Sequence, residues 1–168
     1  MRSPLLLTCL LTLLTLPALA DNHDREGRHR YRQVPPNASY RAECASCHMA
    51  YPPGMLPAAS WRRMMGGLDR HFGENASLDA ATRDEITAFL VLWSAENTNP
   101  KYRRKYAENP ASPPLRITST VWFRHKHDEI RPDVFRRKGV GSAANCVACH
   151  RQAERGDFDD DSVRIPPR

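Results

Sequence analysis

The chain has 168 residues and 25 Lys and Arg against 19 Asp and Glu, which gives a formal net charge of +6 at pH 7. Only 8% of the residues are aromatic and 14 are proline, so the side chains alone would build a thin core for a single domain. A modest positive charge favours docking to an acidic partner protein or a membrane surface. No stretch resembles a nucleic-acid-binding module, and we expect no nucleic-acid partner.

The first 20 residues have the organisation of a secretory signal peptide. Arg2 supplies the positive charge, residues 5–16 form an apolar core too short to span a bilayer, and an A-x-A cleavage motif ends at Ala20. No second apolar span follows, so we expect no transmembrane span in the mature protein. Residues 21–39 begin with a run of charges and predict a flexible tail.

Two copies of the pentapeptide C-x-x-C-H, at 44–48 and 146–150, organise the remaining chain. Cysteines with this spacing lie about one helical turn apart, so both thiols can reach the vinyl groups of one porphyrin. The histidine that follows can then ligate the iron. The motifs predict two covalent haem c groups, with thioethers at Cys44, Cys47, Cys146 and Cys149 and proximal ligands at His48 and His150.

The same cysteines have two less specific interpretations, a structural zinc site and a pair of disulfides. The two C-x-x-C pairs are far apart in the chain, and a zinc ribbon does not require a histidine directly after each pair. A C-x-x-C disulfide is strained and usually redox-active. Haem attachment outside the cytoplasmic membrane agrees with the signal peptide, and together they predict a location in the bacterial periplasm.

The first-haem half, residues 40–96, predicts three short helices. Residues 40–48 carry the first motif, and a helix over 58–72 places Trp61, Met64, Met65, Leu68 and Phe72 on one apolar face. His71 borders this face, which makes it the candidate distal ligand of one iron. A third helix, capped by Ser77 or Asp79, runs to about residue 95; it has a capping box at 82–85 and a buried stripe at Ile86, Phe89, Leu90 and Trp93.

Residues 97–114 predict a proline-rich surface linker that contains the basic run 101–105. This run is either solvated, docked to a partner or paired with haem propionates. In the second-haem half, residues 115–168, a helix capped by Thr120 would place Phe123 and His127 on one apolar face. His127 is therefore the second candidate distal ligand. His125 faces the opposite side of that helix and is the fallback.

The distal candidates are arranged symmetrically about the two motifs. His71 follows His48 by the same number of residues by which His127 precedes His150. Each haem thus has a nearby distal histidine, although a compact core could also cross the pairs. Near the C-terminus, Asp157, Asp159 and Asp161 resemble the start of a calcium loop, but the required glycine and glutamate are missing, and a solvated acidic tail is expected.

The residues around the motifs resemble the bacterial dihaem cytochrome c (DHC) family over nearly the whole mature chain. The matching segments are 44–57, 60–61, 71–79, 122–123 with His127, 141–146, 156–159 and 163–166. The resemblance implies low-spin, low-potential haems with bis-histidine ligation by His48, His71, His127 and His150. It also implies electron exchange with a membrane cytochrome b and a small oxygen-binding cytochrome.

The sequence therefore predicts a mainly α-helical dihaem cytochrome, in which short helices and loops pack around two covalent haems. An iron with two protein ligands has no open position for a substrate, so we expect an electron carrier and not an enzyme. Two alternatives use related chemistry. One is the electron-accepting subunit of a periplasmic reductase such as nitrate reductase, and the other is a dihaem peroxidase with one iron open or weakly ligated.

Overall fold

The computed structural model describes residues 34–168, so the predicted signal peptide and residues 21–33 of the predicted tail lie outside the described residues. The fold is mainly α-helical and built from short helices, as predicted, and residues 34–168 contain no β-strand. None of these helices has the length and apolarity that crossing a membrane requires. The α-helices are α1 Ala38–Cys44, α2 Ala58–Met65, α3 Ala80–Leu92, α4 Ala95–Thr98, α5 Pro100–Lys105, α6 Val121–Lys126 and α7 Pro132–Phe135.

The main hydrophobic core lies in the first-haem half, where α2 packs against α3. Trp61 anchors it, because its ring is buried and its Nε1–H donates a hydrogen bond to the Pro53 carbonyl at 2.8 Å. The predicted stripe of α3 is confirmed at Ile86 and Leu90, which are fully buried. The buried members of this core are Tyr40, Leu56, Trp61, Met65, Ile86 and Leu90.

Helix α2 is shorter than the sequence predicts, ending at Met65 and not at Phe72. Gly66 and Gly67 follow directly, and glycine is the poorest helix former after proline. The chain then makes a 3-10 turn over Leu68–Arg70. Phe72 consequently leaves the apolar face and is 45% exposed, so its predicted place in the core is wrong.

At the start of α3 the predicted N-cap is confirmed, whereas the predicted capping box is not. Asp79 is the N-cap, and its carboxylate accepts a hydrogen bond from the Thr82 backbone N–H at 3.0 Å. The predicted capping box at 82–85 is wrong, because the Glu85 carboxylate accepts hydrogen bonds from Asn37 Nδ2 at 3.1 Å and Ser39 Oγ at 2.8 Å. Glu85 thereby fastens the start of α1 to α3.

The segment between the two halves, predicted to be a surface linker, contains two short helices, α4 and α5. Ser94 precedes α4, and Asn99 caps α5 by accepting hydrogen bonds from two backbone N–H groups. Tyr102 and Tyr106 are buried and join Ala95 in a second, smaller hydrophobic cluster. A run that looks only basic in sequence therefore forms a helix with one buried aromatic side.

Candidate haem-binding sites

The first motif lies at the C-terminal end of α1. The helix ends at Cys44, earlier than the sequence predicts, so Cys47 and His48 lie in the turn that follows and are exposed. Cys44 is half-buried, and burial raises the pKa of its thiol to about 11. Cys44 and Cys47 form no disulfide, so both sulfurs are available for thioether bonds to a porphyrin.

The imidazole of His48 is held in one orientation by its own turn. Nδ1 lies 2.7 Å from the Met49 carbonyl oxygen, and a carbonyl only accepts, so Nδ1 is the protonated nitrogen. Nε2 then carries the lone pair that can bind a metal ion. The ring of Tyr51 packs beside this imidazole, with the centroids 4.9 Å apart.

His71 is positioned by a tight turn. Its backbone exchanges hydrogen bonds with Glu74, at 2.8 and 3.1 Å, and the two residues between them, Phe72 and Gly73, have φ values of 54° and 109°. Positive φ at both central residues is the geometry of a type I′ turn. Phe72 is an unusual residue there, because a side chain disfavours this backbone conformation.

The side chain of Phe72 lies between two other groups. Its ring meets the His71 imidazole edge-on at 4.9 Å between centroids. On the other side, the Arg116 guanidinium lies 4.1 Å from the ring centroid, a cation–π contact that links the second-haem half to the first site. The strained backbone at Phe72 therefore places a ring against a candidate iron ligand.

His48 and His71 face each other with their ring centroids 6.2 Å apart and their planes at 32°. Two imidazoles bound to one iron from opposite sides have centroids about 6.4 Å apart, because each metal–nitrogen bond is about 2 Å and each nitrogen lies about 1.2 Å from its ring centroid. The observed separation therefore fits one metal ion between the two rings.

The second site repeats this arrangement. His127 is the C-cap of α6, and its Nδ1 donates a hydrogen bond to the Phe123 carbonyl at 2.9 Å, which again leaves Nε2 as the metal-binding nitrogen. Its ring stacks on Phe123 at 4.1 Å. The centroids of His127 and His150 are 6.2 Å apart, with planes at 80°, so this pair has the same spacing as the first.

The second motif is held by backbone contacts from the C-terminal segment. His150 forms an isolated β-bridge with Val163, and the Arg164 N–H donates to the Cys149 carbonyl at 2.9 Å. Burial raises the pKa of the Cys146 thiol to about 11. The His150 Nδ1 is buried without a hydrogen-bond partner among residues 34–168, in contrast to the Nδ1 atoms of His48 and His127.

The structure thus brings each predicted distal histidine to the motif nearest to it in sequence. His125 stands apart, because its side chain is 47% exposed and contacts Tyr106 and Asp128. Burial lowers the pKa of both His71 and His150, and the paired imidazole lowers it further in each case. Neutral imidazoles are the form that ligates a metal.

Tyr51 is a residue whose position sequence reasoning did not foresee. Its ring packs on His48 of the first site, and its hydroxyl donates a hydrogen bond to the Ala144 carbonyl at 2.9 Å, two residues before Cys146. The pair is separated by 93 positions in the chain. No local sequence pattern predicts such a contact, because it depends on how the two halves pack.

The acidic segment near the C-terminus uses its carboxylates to cap turns. Asp157 accepts a hydrogen bond from the Asp159 N–H at 2.9 Å, and Asp159 accepts one from the Asp161 N–H at 3.0 Å. Among residues 34–168, no group of three or more His, Cys, Asp or Glu side chains is arranged to hold a metal ion by itself.

Comparison with known proteins places these sites in a family. The dihaem cytochrome c family profile matches residues 40–158. A dihaem cytochrome c from Rhodobacter sphaeroides is 42% identical with a TM-score of 0.66, and the match covers 74% of this chain and 98% of that one. A dihaem cytochrome from Shewanella baltica OS155 is also 42% identical, with a TM-score of 0.64 and coverage of 77% and 93%.

No curated protein matches the chain. The family profile covers well over half of the sequence, and both solved structures are matched over nearly their full length. In this chain the fold pairs the histidine of each C-x-x-C-H motif with a second histidine. The chain therefore belongs to the dihaem cytochrome c family, and its cofactors are two covalently bound haem c groups.

Proposed function

We propose that this protein is a periplasmic electron carrier in which both irons have two histidine ligands, His48 with His71 and His127 with His150. The observation that carries this proposal is the 6.2 Å centroid separation in both pairs. The iron supplies a reversible one-electron change. The two imidazoles of each pair would hold the iron in both oxidation states, so little rearrangement would accompany electron transfer.

The chain's own residues prepare these imidazoles for binding. The carbonyls of Met49 and Phe123 accept hydrogen bonds from Nδ1 of His48 and His127, which fixes the tautomer and the ring direction. The turn at His71 and the bridge at His150 fix the backbone of the other two ligands. Two histidines per iron would leave no position for a substrate, and the family resemblance implies low-spin haems of low potential.

The partners we propose are a membrane cytochrome b or quinol-linked donor on one side and a small oxygen-binding or other soluble cytochrome on the other. Support comes from the family resemblance and from the positive net charge, which steers negatively charged partners. The signal peptide pattern and the two haem attachment motifs support a periplasmic location.

The visible spectrum of the fully reduced holoprotein, before and after addition of carbon monoxide, tests the ligation. We expect no spectral change, because two strong protein ligands leave no site for carbon monoxide. A shift that affects half of the haem would show one open or easily opened iron. That result would replace the carrier function with an enzymatic or gas-sensing one.

A further inference from the structure

The C-terminal end of α5 contacts α6, the helix that ends at His127 of the second haem site. The Tyr106 ring at the end of α5 is 5.5 Å from the His125 ring of α6, and Trp122 packs against the Tyr102–Tyr106 cluster. The Glu108 carboxylate also accepts a hydrogen bond from the Val121 N–H at 2.6 Å, at the start of α6. Side chains of both helices therefore contribute to one surface.

Exposed cations cover this surface. Five exposed cations from the two helices are in no ion pair within residues 34–168. Two of them, Arg103 and Arg124, donate hydrogen bonds to backbone carbonyls, at 2.8 and 2.6 Å. We define the α5–α6 basic surface by Arg103, Arg104, Lys105, Arg124 and Lys126.

Four acidic residues of the same region offset part of this charge, and two of them are not exposed. Glu96 and Glu108 are half-buried, and their carboxylates accept hydrogen bonds from the backbone N–H groups of Ala58 and Val121. Asp128 and Glu129 are exposed just beyond α6 and mark the acidic edge of the surface. The exposed charges of this surface and its edge are therefore five cations and two carboxylates, and the surface is positive on balance.

The α5–α6 basic surface adjoins one ligand of the second haem site. Helix α6 ends at His127, whose ring stacks on Phe123 of the same helix. The opposite ligand, His150, lies near the acidic segment, where Asp157 and Asp160 act on it electrostatically. The α5–α6 basic surface therefore adjoins the His127 side of this site, whereas the His150 side carries charges of both signs, since Arg151, Arg155 and Arg164 are exposed there.

We propose that an acidic redox protein docks on the α5–α6 basic surface and exchanges electrons with the second haem from the His127 side. The inference rests on the proposed carrier function and names the chemistry of one partner and its docking position. A group of exposed cations next to one haem ligand attracts an acidic partner and favours encounters at that haem.

The test uses the holoprotein and photoreduced flavodoxin, a small acidic electron donor, in rapid-mixing or flash experiments at low ionic strength. The double variant Arg104→Glu/Lys105→Glu is compared with Arg62→Glu/Arg63→Glu, which makes the same charge change on exposed residues of α2. We expect the second-order rate constant to fall about tenfold in the first variant and less than about twofold in the second. Photoreduced lumiflavin, which is uncharged, should reduce all three proteins at the same rate.

Several results would overturn the proposal. Equal slowing in both variants would mean that net charge alone sets the rate, and no slowing in either would mean that flavodoxin does not use this surface. A shifted second-haem potential in Arg104→Glu/Lys105→Glu, or slower reduction by lumiflavin, would mean that the cations act on the haem itself.

A membrane surface is the competing occupant. Sedimentation with vesicles of phosphatidylcholine and phosphatidylglycerol tests it directly, and binding lost only in Arg104→Glu/Lys105→Glu, with the flavodoxin rate unchanged, would assign the surface to lipid and overturn the proposal. Failure of the carrier function is seen separately, as carbon monoxide binding by the unmodified protein, and is distinguishable from failure of docking.

Discussion

His125 and His127 lie two residues apart at the end of α6, yet their rings have different surroundings. His127 stacks on Phe123 and faces His150, whereas His125 is half-exposed and contacts Tyr106. We expect His127→Ala to open one iron, so that reduced holoprotein binds carbon monoxide at about half of its haem. Optical titration with carbon monoxide measures this fraction.

His125→Ala is the matched control, since it removes the same side chain from the same helix. We expect the control to bind no carbon monoxide. If His125→Ala opened an iron and His127→Ala did not, the ligand assignment in the second-haem half would be reversed, although the pairing of the first half would be unaffected.

Single residues differ in how well the sequence predicts their surroundings. The cysteines and the histidines of the two motifs are set by a local spacing, so their grouping follows from the sequence directly. Phe72 shows the opposite case, because its place depends on where α2 stops and on a turn with two positive φ values. Hydrophobic periodicity counts Phe72 with the core and has no means of detecting the turn.

Helix α6 carries His127, and its N-terminus depends on Thr120. The buried Thr120 hydroxyl accepts a hydrogen bond from the Phe123 N–H at 3.0 Å and donates one to the Ile117 carbonyl at 2.8 Å. We expect Thr120→Ala to lower the free energy of unfolding by about 1–2 kcal/mol, because it removes the cap of a helix with only six residues. Guanidinium denaturation of the holoprotein measures the change.

Thr120→Ser keeps the hydroxyl and serves as the control for the cap. It should retain most of the stability that Thr120→Ala loses. A serine variant as unstable as the alanine variant would show that the buried methyl group matters and the hydrogen bonds do not, which would contradict the capping explanation.

Helices are predictable here in type and order but not in length. The apolar stripe of α3 and the Thr120 cap of α6 follow from local patterns, and both are found. Two consecutive glycines end α2. The apolar spacing continues beyond them in the sequence and is the stronger pattern, so it predicts a helix that is too long. The sequence does not predict helix α5, because its residues are mostly basic. The burial of Tyr102 and Tyr106, in and just after this helix, depends on tertiary contacts that no local pattern shows.

The two halves of the molecule meet at Tyr51, whose hydroxyl reaches the Ala144 carbonyl across the boundary. We expect Tyr51→Phe to destabilise the holoprotein by about 0.5–1.5 kcal/mol, the net contribution of one neutral hydrogen bond. Tyr106→Phe is the control, because the Tyr106 hydroxyl makes no hydrogen bond within residues 34–168. Equal effects in denaturant titrations would contradict a specific role for the Tyr51 hydroxyl.

The protein core is distributed unevenly between the halves, and this predicts how the molecule depends on its haems. The first half has a cluster of six buried side chains around α2 and α3, whereas the buried apolar residues of the second half, within the described part of the chain, are Phe123, Val134, Val140 and Ala153. A porphyrin provides a large apolar surface. Its absence should therefore remove a larger share of the apolar contacts in the second half than in the first.

Replacing Cys44, Cys47, Cys146 and Cys149 by alanine gives a chain that cannot attach haem covalently. In this variant we expect backbone amides of residues 115–168 to exchange with deuterium at rates near those of an unfolded chain, while α2 and α3 keep partial protection. Hydrogen exchange followed by mass spectrometry resolves the two regions. Equal protection in both halves would mean that the porphyrins add no more to the second half than to the first, and that contacts other than the buried clusters hold residues 115–168 together.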